Sequence, residues 1–142
     1  MRTSFDNVLR KRLIIEAIVS PESARNLSNV TFLENYLRDL STRANMTIMF
    51  GPLVHNWAEQ LDYEKYAGLE GVIIWAESGV QLYTWEKHNA LTIDIYSCKD
   101  FSINEMVEFT KNYFTTEKIE WKEVEPILTL GLPENEHVEV RD

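Results

Sequence analysis

The sequence predicts an α+β fold, a two-layer α/β sandwich in which an antiparallel sheet carries two helices on one face. Three observations predict it. Short runs rich in branched and aromatic residues are bounded by turn residues, which is typical of strands. Two longer stretches repeat apolar residues at helical spacing. Residues 70–98 hold three short strands in a row.

The first half of the chain gives the first three elements. Residues 13–19 are rich in branched side chains and end at Ser20-Pro21, which predicts a strand. A helix is predicted to begin after the N-cap Asn29 and to reach about Ala44, because its apolar residues fall on one face. Residues 46–50 predict the second strand, which Gly51-Pro52 interrupts and which 53–57 continue in another direction.

The second half gives the other five. The three strands within 70–98 come first. Ser102 can then cap a helix while Glu105 reaches back, and this helix is predicted to run to about Phe114. Residues 118–124 alternate apolar and charged side chains, as a half-exposed strand does. The predicted order is therefore β-α-β-β-β-β-α-β.

The length of 142 residues predicts one domain spanning 1–142, with its core in about 12–125. Residues 126–142 are expected to form an irregular acidic tail.

Composition excludes several functional classes. The net charge of −9 argues against a nucleic-acid partner, which needs a basic patch. No run approaches the roughly 20 apolar residues that span a bilayer, so no membrane role is expected. One cysteine excludes an internal disulfide and predicts a cytoplasmic protein.

The residues with chemical potential concentrate in 70–98. They include the hydroxyl of Ser78, the phenol of Tyr83, the imidazole of His88 and the thiol of Cys98. Ser78 and Cys98 are twenty residues apart and both lie at predicted strand ends. Adjacent antiparallel strands bring such residues to about 5 Å, so a thiol beside the serine is sterically reasonable.

Three motifs in this stretch carry a family resemblance. Ala76-Glu77-Ser78, Tyr83-Thr84-Trp85 and 94–98 (Asp-Ile-Tyr-Ser-Cys) resemble the core motifs of the small prokaryotic S-adenosylmethionine decarboxylases. The family pattern is roughly Ala-Glu-Ser-His, then Ile-His-Thr-Trp-Pro-Glu, then Asp-(Ile/Val)-(Tyr/Phe)-(Ser/Thr)-Cys. The serine-to-cysteine spacing is also twenty residues there. The resemblance covers most of 12–124.

The resemblance implies a helix-on-sheet sandwich that assembles as a homodimer, and a proenzyme that cuts itself between Glu77 and Ser78. Ser78 would become a pyruvoyl group, the cofactor, with no metal. Its ketone would condense with the amino group of S-adenosylmethionine and assist loss of carbon dioxide, for polyamine (spermidine) biosynthesis. Cys98 would supply a proton.

Two departures from the family pattern leave alternatives open. The family's Ser-His is Ser78-Gly79 here, and its second histidine, tied to self-cleavage, is Tyr83. A tyrosine with a pKa near 10 is a poor base at neutral pH. Either Tyr83 acts with a shifted pKa, or His88 or His55 transfers the proton. Alternatively, self-cleavage is lost and the chain is a ligand-binding or regulatory subunit.

The ligand contacts are also predicted only in outline. Trp85, Trp57 and Tyr66 are candidates to stack on an adenine ring. A decarboxylase of arginine or ornithine on the same scaffold is a further alternative. The histidines have no standard metal spacing, so no metal site is expected.

Overall fold

The structure, a computed structural model, describes residues 8–56 and 68–128. The elements follow one another as β1 (Lys11–Val19), α1 (Val30–Arg43), β2 (Ile48–His55), β3 (Glu70–Trp75), β4 (Ser78–Trp85), β5 (Ala90–Ser97), α2 (Ile103–Phe114) and β6 (Thr116–Val124). Short 3-10 helices at Pro21–Ser28 and Glu86–His88 join β1 to α1 and β4 to β5. The predicted order β-α-β-β-β-β-α-β is confirmed.

The six strands form one sheet in the order β2-β3-β4-β5-β1-β6. Every neighbouring pair is antiparallel. β2 to β5 are sequential neighbours, whereas β1 inserts between β5 and β6. The predicted α+β class is confirmed. β5 is hydrogen-bonded to β4 on one side and to β1 on the other, and these two pairings fix the position of its last residue.

Both helices lie on the same face of the sheet. Every second side chain of β1, from Leu13 to Val19, is buried beneath them. Tyr36 of α1 is fully buried, and its hydroxyl lies 2.7 Å from Thr110 Oγ1 of α2. Burial raises the pKa of Tyr36 well above its ordinary value. We call the opposite side of the sheet the open face, because neither α1 nor α2 lies against it.

The predicted helix starts are confirmed by their N-caps. Asn29 Oδ1 accepts the Phe32 N–H at 3.0 Å, and Ser102 Oγ accepts the Glu105 N–H at 3.2 Å. Both bonds satisfy amides of a first helical turn, which have no partner within the helix.

Strand β2 differs from its prediction. It is a single strand from Ile48 to His55, not a strand that Gly51-Pro52 interrupts. The Gly51-Pro52 pair nevertheless marks an irregularity in the strand, because the register with β3 shifts between Phe50 and Leu53. Gly51 has φ +93°, which glycine adopts easily, so the strand bends there without ending.

Several sequence predictions fall outside the described ranges. They include most of the predicted tail, residues 129–142, and two of the predicted stacking residues, Trp57 and Tyr66. The one-domain organisation of 1–142 also stays a prediction. Within 8–56 and 68–128, no helix has both the length and the apolar character to cross a membrane.

Candidate active site

A tight hairpin turn brings the Ser78 and Cys98 segments together. Ala76 and Glu77 alone connect β3 to β4, so Ser78 pairs with Trp75 across the turn. On its other side Ser78 pairs with Ser97, the last residue of β5. Cys98 follows immediately. The predicted proximity of the serine and cysteine segments therefore follows from the register of three adjacent strands.

Glu77 has an unusual backbone. Its φ is +64°, in the left-handed region that costs a non-glycine residue about 1–2 kcal/mol. Its carbonyl oxygen accepts a hydrogen bond from the Cys98 N–H at 3.2 Å. The peptide bond before Ser78 thus follows a residue with a costly backbone conformation, and its carbonyl is polarised by a donor. An amide donor aimed at a carbonyl stabilises negative charge that develops on the oxygen.

The hydroxyl of Ser78 is held from two sides. Its Oγ lies 2.8 Å from Ser97 Oγ and 3.3 Å from the Ala76 carbonyl oxygen. Ser97 is fully buried, so its hydroxyl has no access to water as an alternative partner. Ser78 is therefore not free to rotate as an exposed turn serine would be.

The thiol of Cys98 is partly buried and lies near an aromatic hydroxyl. Its Sγ is 3.9 Å from the Tyr96 hydroxyl, within the range of a weak sulfur hydrogen bond. The Arg12 guanidinium lies 4.8 Å from the centroid of the Tyr96 ring, a cation–π contact. Partial burial and the adjacent thiol raise the pKa of Tyr96.

A shallow groove of about 440 Å³ runs from Ser78 across the open face. Gly79 forms part of its floor, opposite Tyr96 in the β4–β5 register. A Cβ at position 79 would lie 3.1 Å from the Ile73 carbonyl oxygen, so a larger residue requires β3 to shift. Glycine keeps the groove open beside Ser78, and Asp94 places a carboxylate in its wall.

Tyr83 lies away from Ser78 within the chain. Five residues along β4 separate them, which corresponds to about 17 Å at about 3.4 Å per residue. The Tyr83 ring is on the open face and stacks on Trp85, with ring centroids 6.1 Å apart. Its hydroxyl accepts a hydrogen bond from Gln81 Nε2 at 3.3 Å.

His55 belongs to the same part of the open face as Tyr83. Glu70 pairs with His55 on one side and with Tyr83 on the other, which makes a polar row across β2, β3 and β4. Two of the three predicted proton carriers therefore lie together, but the structure does not bring them to the Ser78 of their own chain.

The remaining predicted residues lie elsewhere. His88 is exposed in the 3-10 helix after β4, at the opposite end of that strand from Ser78. Trp85 is half-buried near the same end. Trp57 and Tyr66 are outside the described residues. In 8–56 and 68–128 no three His, Cys, Asp or Glu side chains are grouped as metal ligands.

The sequence analysis did not single out Ser97 as a site residue, although Ser97 contacts Ser78. The signal for Ser97 was available in the motif. A four-residue connection at 86–89 between β4 and β5 fixes the register, which pairs Ser78 with Ser97 and leaves Cys98 beyond the strand.

Comparison with known proteins agrees with this geometry. The sequence profile described as S-adenosylmethionine decarboxylase matches residues 11–125, most of the chain. The chain belongs to the S-adenosylmethionine decarboxylase family. Among its relatives is the S-adenosylmethionine decarboxylase proenzyme of Acidithiobacillus ferrooxidans, 25% identical over 113 residues, which are 78% of this chain and 79% of that one.

Other members of the family are similar over a shorter stretch of sequence or in their structure. The proenzyme of Aquifex aeolicus is 42% identical over 33 residues, which are 23% of this chain and 24% of the relative. The crystal structure of adenosylmethionine decarboxylase from Aquifex aeolicus matches with a TM-score of 0.67 at 19% identity. That match covers 92% of this chain and 97% of the other, which supports the same fold.

Proposed function

We propose that this chain is the proenzyme of a pyruvoyl-dependent decarboxylase, which cuts itself between Glu77 and Ser78 and then acts on S-adenosylmethionine. One observation carries the proposal. The carbonyl that Ser78 would attack belongs to a left-handed Glu77 and accepts the Cys98 N–H at 3.2 Å. The same turn holds the Ser78 hydroxyl 2.8 Å from the fully buried Ser97 Oγ, next to this carbonyl.

The self-cleavage needs the groups of the chain and consumes one water molecule. Ser78 Oγ bonds to the Glu77 carbonyl carbon, the C–N bond breaks, and the hydroxyl proton ends on the Ser78 nitrogen, which leaves an ester. Transfer of the Ser78 Cα proton to solvent water expels the Glu77 carboxylate and leaves dehydroalanine. Water then releases ammonia and caps residue 78 with a pyruvoyl group. The Cys98 N–H stabilises the oxyanion of the first step.

The surroundings of Ser78 are compatible with a pyruvoyl group at this position. Ser78 is half-buried and lines one end of the groove, so it is not sealed in the core. The pyruvoyl ketone supplies the electron sink for loss of carbon dioxide. The Cys98 thiol, close to Tyr96 of the groove wall, is the protein's proton donor in this proposal.

The groove favours a cationic substrate. The Asp94 carboxylate lines it and can stabilise a positive charge. The sulfonium of S-adenosylmethionine meets this requirement, and so do arginine and ornithine. Release of carbon dioxide from each labelled substrate distinguishes them; the proposal expects S-adenosylmethionine to give the highest kcat/KM.

The open face supports assembly as a homodimer. It exposes Ile18, Ile74 and Leu53. Packing against the same face of a second copy would cover these side chains at about 10 Å sheet separation. Sedimentation velocity at micromolar concentration measures this directly, and a monomer would contradict it.

The deciding experiment is the intact mass of freshly purified, denatured protein. We expect two fragments, residues 1–77 and 78–142, the second without a free amino terminus. A single 16.6 kDa chain that stays uncut on incubation would overturn the proposal. That outcome would favour a ligand-binding homologue, and the Tyr83 and Gly79 departures would then explain the loss.

The strain at Glu77 gives a separate prediction. In a Ser78→Ala background, which prevents cleavage, Glu77→Gly should raise the free energy of unfolding by about 1 kcal/mol, because glycine adopts a positive φ without a steric cost. The melting temperature should rise by about 3 °C. Asn89→Gly is the control. Asn89 has φ +54°, but asparagine tolerates this region, so a smaller gain is expected. Equal gains at both positions would contradict strain at Glu77.

A further inference from the structure

We propose that Ser97 positions the Ser78 hydroxyl for attack on the Glu77 carbonyl. The inference rests on the proposed self-cleavage and adds a residue to it. Ser97 Oγ has three polar contacts: the Lys99 N–H at 2.8 Å, the Lys99 carbonyl oxygen at 2.5 Å and Ser78 Oγ at 2.8 Å. It is fully buried, so water does not compete for these contacts.

The direction of the Ser78–Ser97 hydrogen bond follows from counting donors. A serine hydroxyl has one hydrogen and two acceptor lone pairs. The Lys99 amide can only donate, and the Lys99 carbonyl can only accept, so Ser97 gives its one hydrogen to that carbonyl. The hydrogen between the two serines must then come from Ser78, which gives it to Ser97 Oγ at 2.8 Å and not to the more distant Ala76 carbonyl oxygen at 3.3 Å. This bond turns the Ser78 hydrogen toward Ser97 and leaves the Ser78 lone pairs free to attack.

The same local turn also positions the other reacting group. Ser97 and Lys99 enclose Cys98, whose N–H points at the Glu77 carbonyl oxygen. Lys99 Nζ donates to the Asn45 carbonyl oxygen at 2.7 Å and so ties this turn to the end of α1. Ser97 therefore aligns the nucleophile and holds in place the amide that polarises its target. A neutral serine is too weak a base to accept the proton, so its role is alignment.

The test compares the rates of self-cleavage of variant chains. Each chain is made by cell-free synthesis, and its cleavage is followed over time by intact-mass measurement. Ser97→Ala should cut about 100-fold more slowly, the scale of a misaligned attack. Ser97→Thr keeps the hydroxyl on a residue suited to strands and should cut within a few-fold of the wild-type rate. Ser97→Cys keeps a side chain of similar volume but accepts hydrogen bonds weakly, so it should also cut slowly. It replaces the alanine variant in the comparison if that variant does not fold.

Thr110→Val is the matched control, because it removes another buried hydroxyl, one bonded to Tyr36, and should cut at the wild-type rate. Hydroxylamine, which traps the ester, should trap less of it in Ser97→Ala. Wild-type rates in a folded alanine or cysteine variant would overturn the inference, and so would a threonine variant as slow as alanine. A wild-type chain that never cuts would overturn the proposed function as well, so the two failures are distinguishable.

Discussion

Replacing Ser78 by alanine should leave one uncut chain of 16.6 kDa with no decarboxylase activity. The change removes a single oxygen, Ser78 Oγ, which the proposal uses twice: as the nucleophile and as the group whose elimination creates the ketone. Without the ketone no electron sink remains, so kcat/KM should fall by about 10⁶-fold or more. Mass spectrometry and carbon dioxide release measure the two effects on one preparation.

Ser28→Ala is a suitable control for this substitution. Ser28 lies on the surface at the end of the 3-10 helix, where its hydroxyl donates to Glu86 Oε1. Its loss should change neither cleavage nor activity. A Ser78→Ala protein with full activity would contradict the whole pyruvoyl mechanism. An uncut wild-type protein that still released carbon dioxide would contradict it equally.

The fold could be predicted from the sequence to a large extent, because its signals are local. The alternation along β1, the helical spacing in α1 and the caps at Asn29 and Ser102 depend on near neighbours in the chain. The order of strands in the sheet is different. That β1 lies between β5 and β6 results from long-range pairing, for which the sequence has no local signal.

The candidate site was predictable only for residues at the ends of two neighbouring strands. Ser78 and Cys98 could be placed together by strand pairing. Tyr83 could not be placed, because a strand alternates faces and extends about 3.4 Å per residue, so a nearby sequence position becomes a distant one in space. The left-handed backbone of Glu77 was also unpredictable, since glutamate has no preference for it. It results from the two-residue turn that the register of β3 and β4 imposes.

Cys98→Ala should separate self-cleavage from decarboxylation, the two reactions proposed for this site. Its backbone N–H, which donates to the Glu77 carbonyl, remains in the alanine variant. Self-cleavage should therefore continue within a few-fold of the wild-type rate. The thiol is lost, and with it the proposed proton donor, so kcat for decarboxylation should fall about 10²- to 10⁴-fold. Intact mass measures the first effect, and product formation on the fully cut enzyme measures the second.

Two further variants show which atom of Cys98 matters. Cys98→Ser keeps a proton donor at the same place and should recover part of the lost kcat without changing cleavage. Tyr96→Phe removes the hydroxyl 3.9 Å from the thiol and tests whether that contact supports the donor. An uncut Cys98→Ala chain would show that cleavage needs the thiol itself, and the backbone amide alone would then be insufficient. Full decarboxylase activity in Cys98→Ala would instead place the proton donor on another group, and the Tyr96 hydroxyl, 3.9 Å from the Cys98 thiol, would be the first to test.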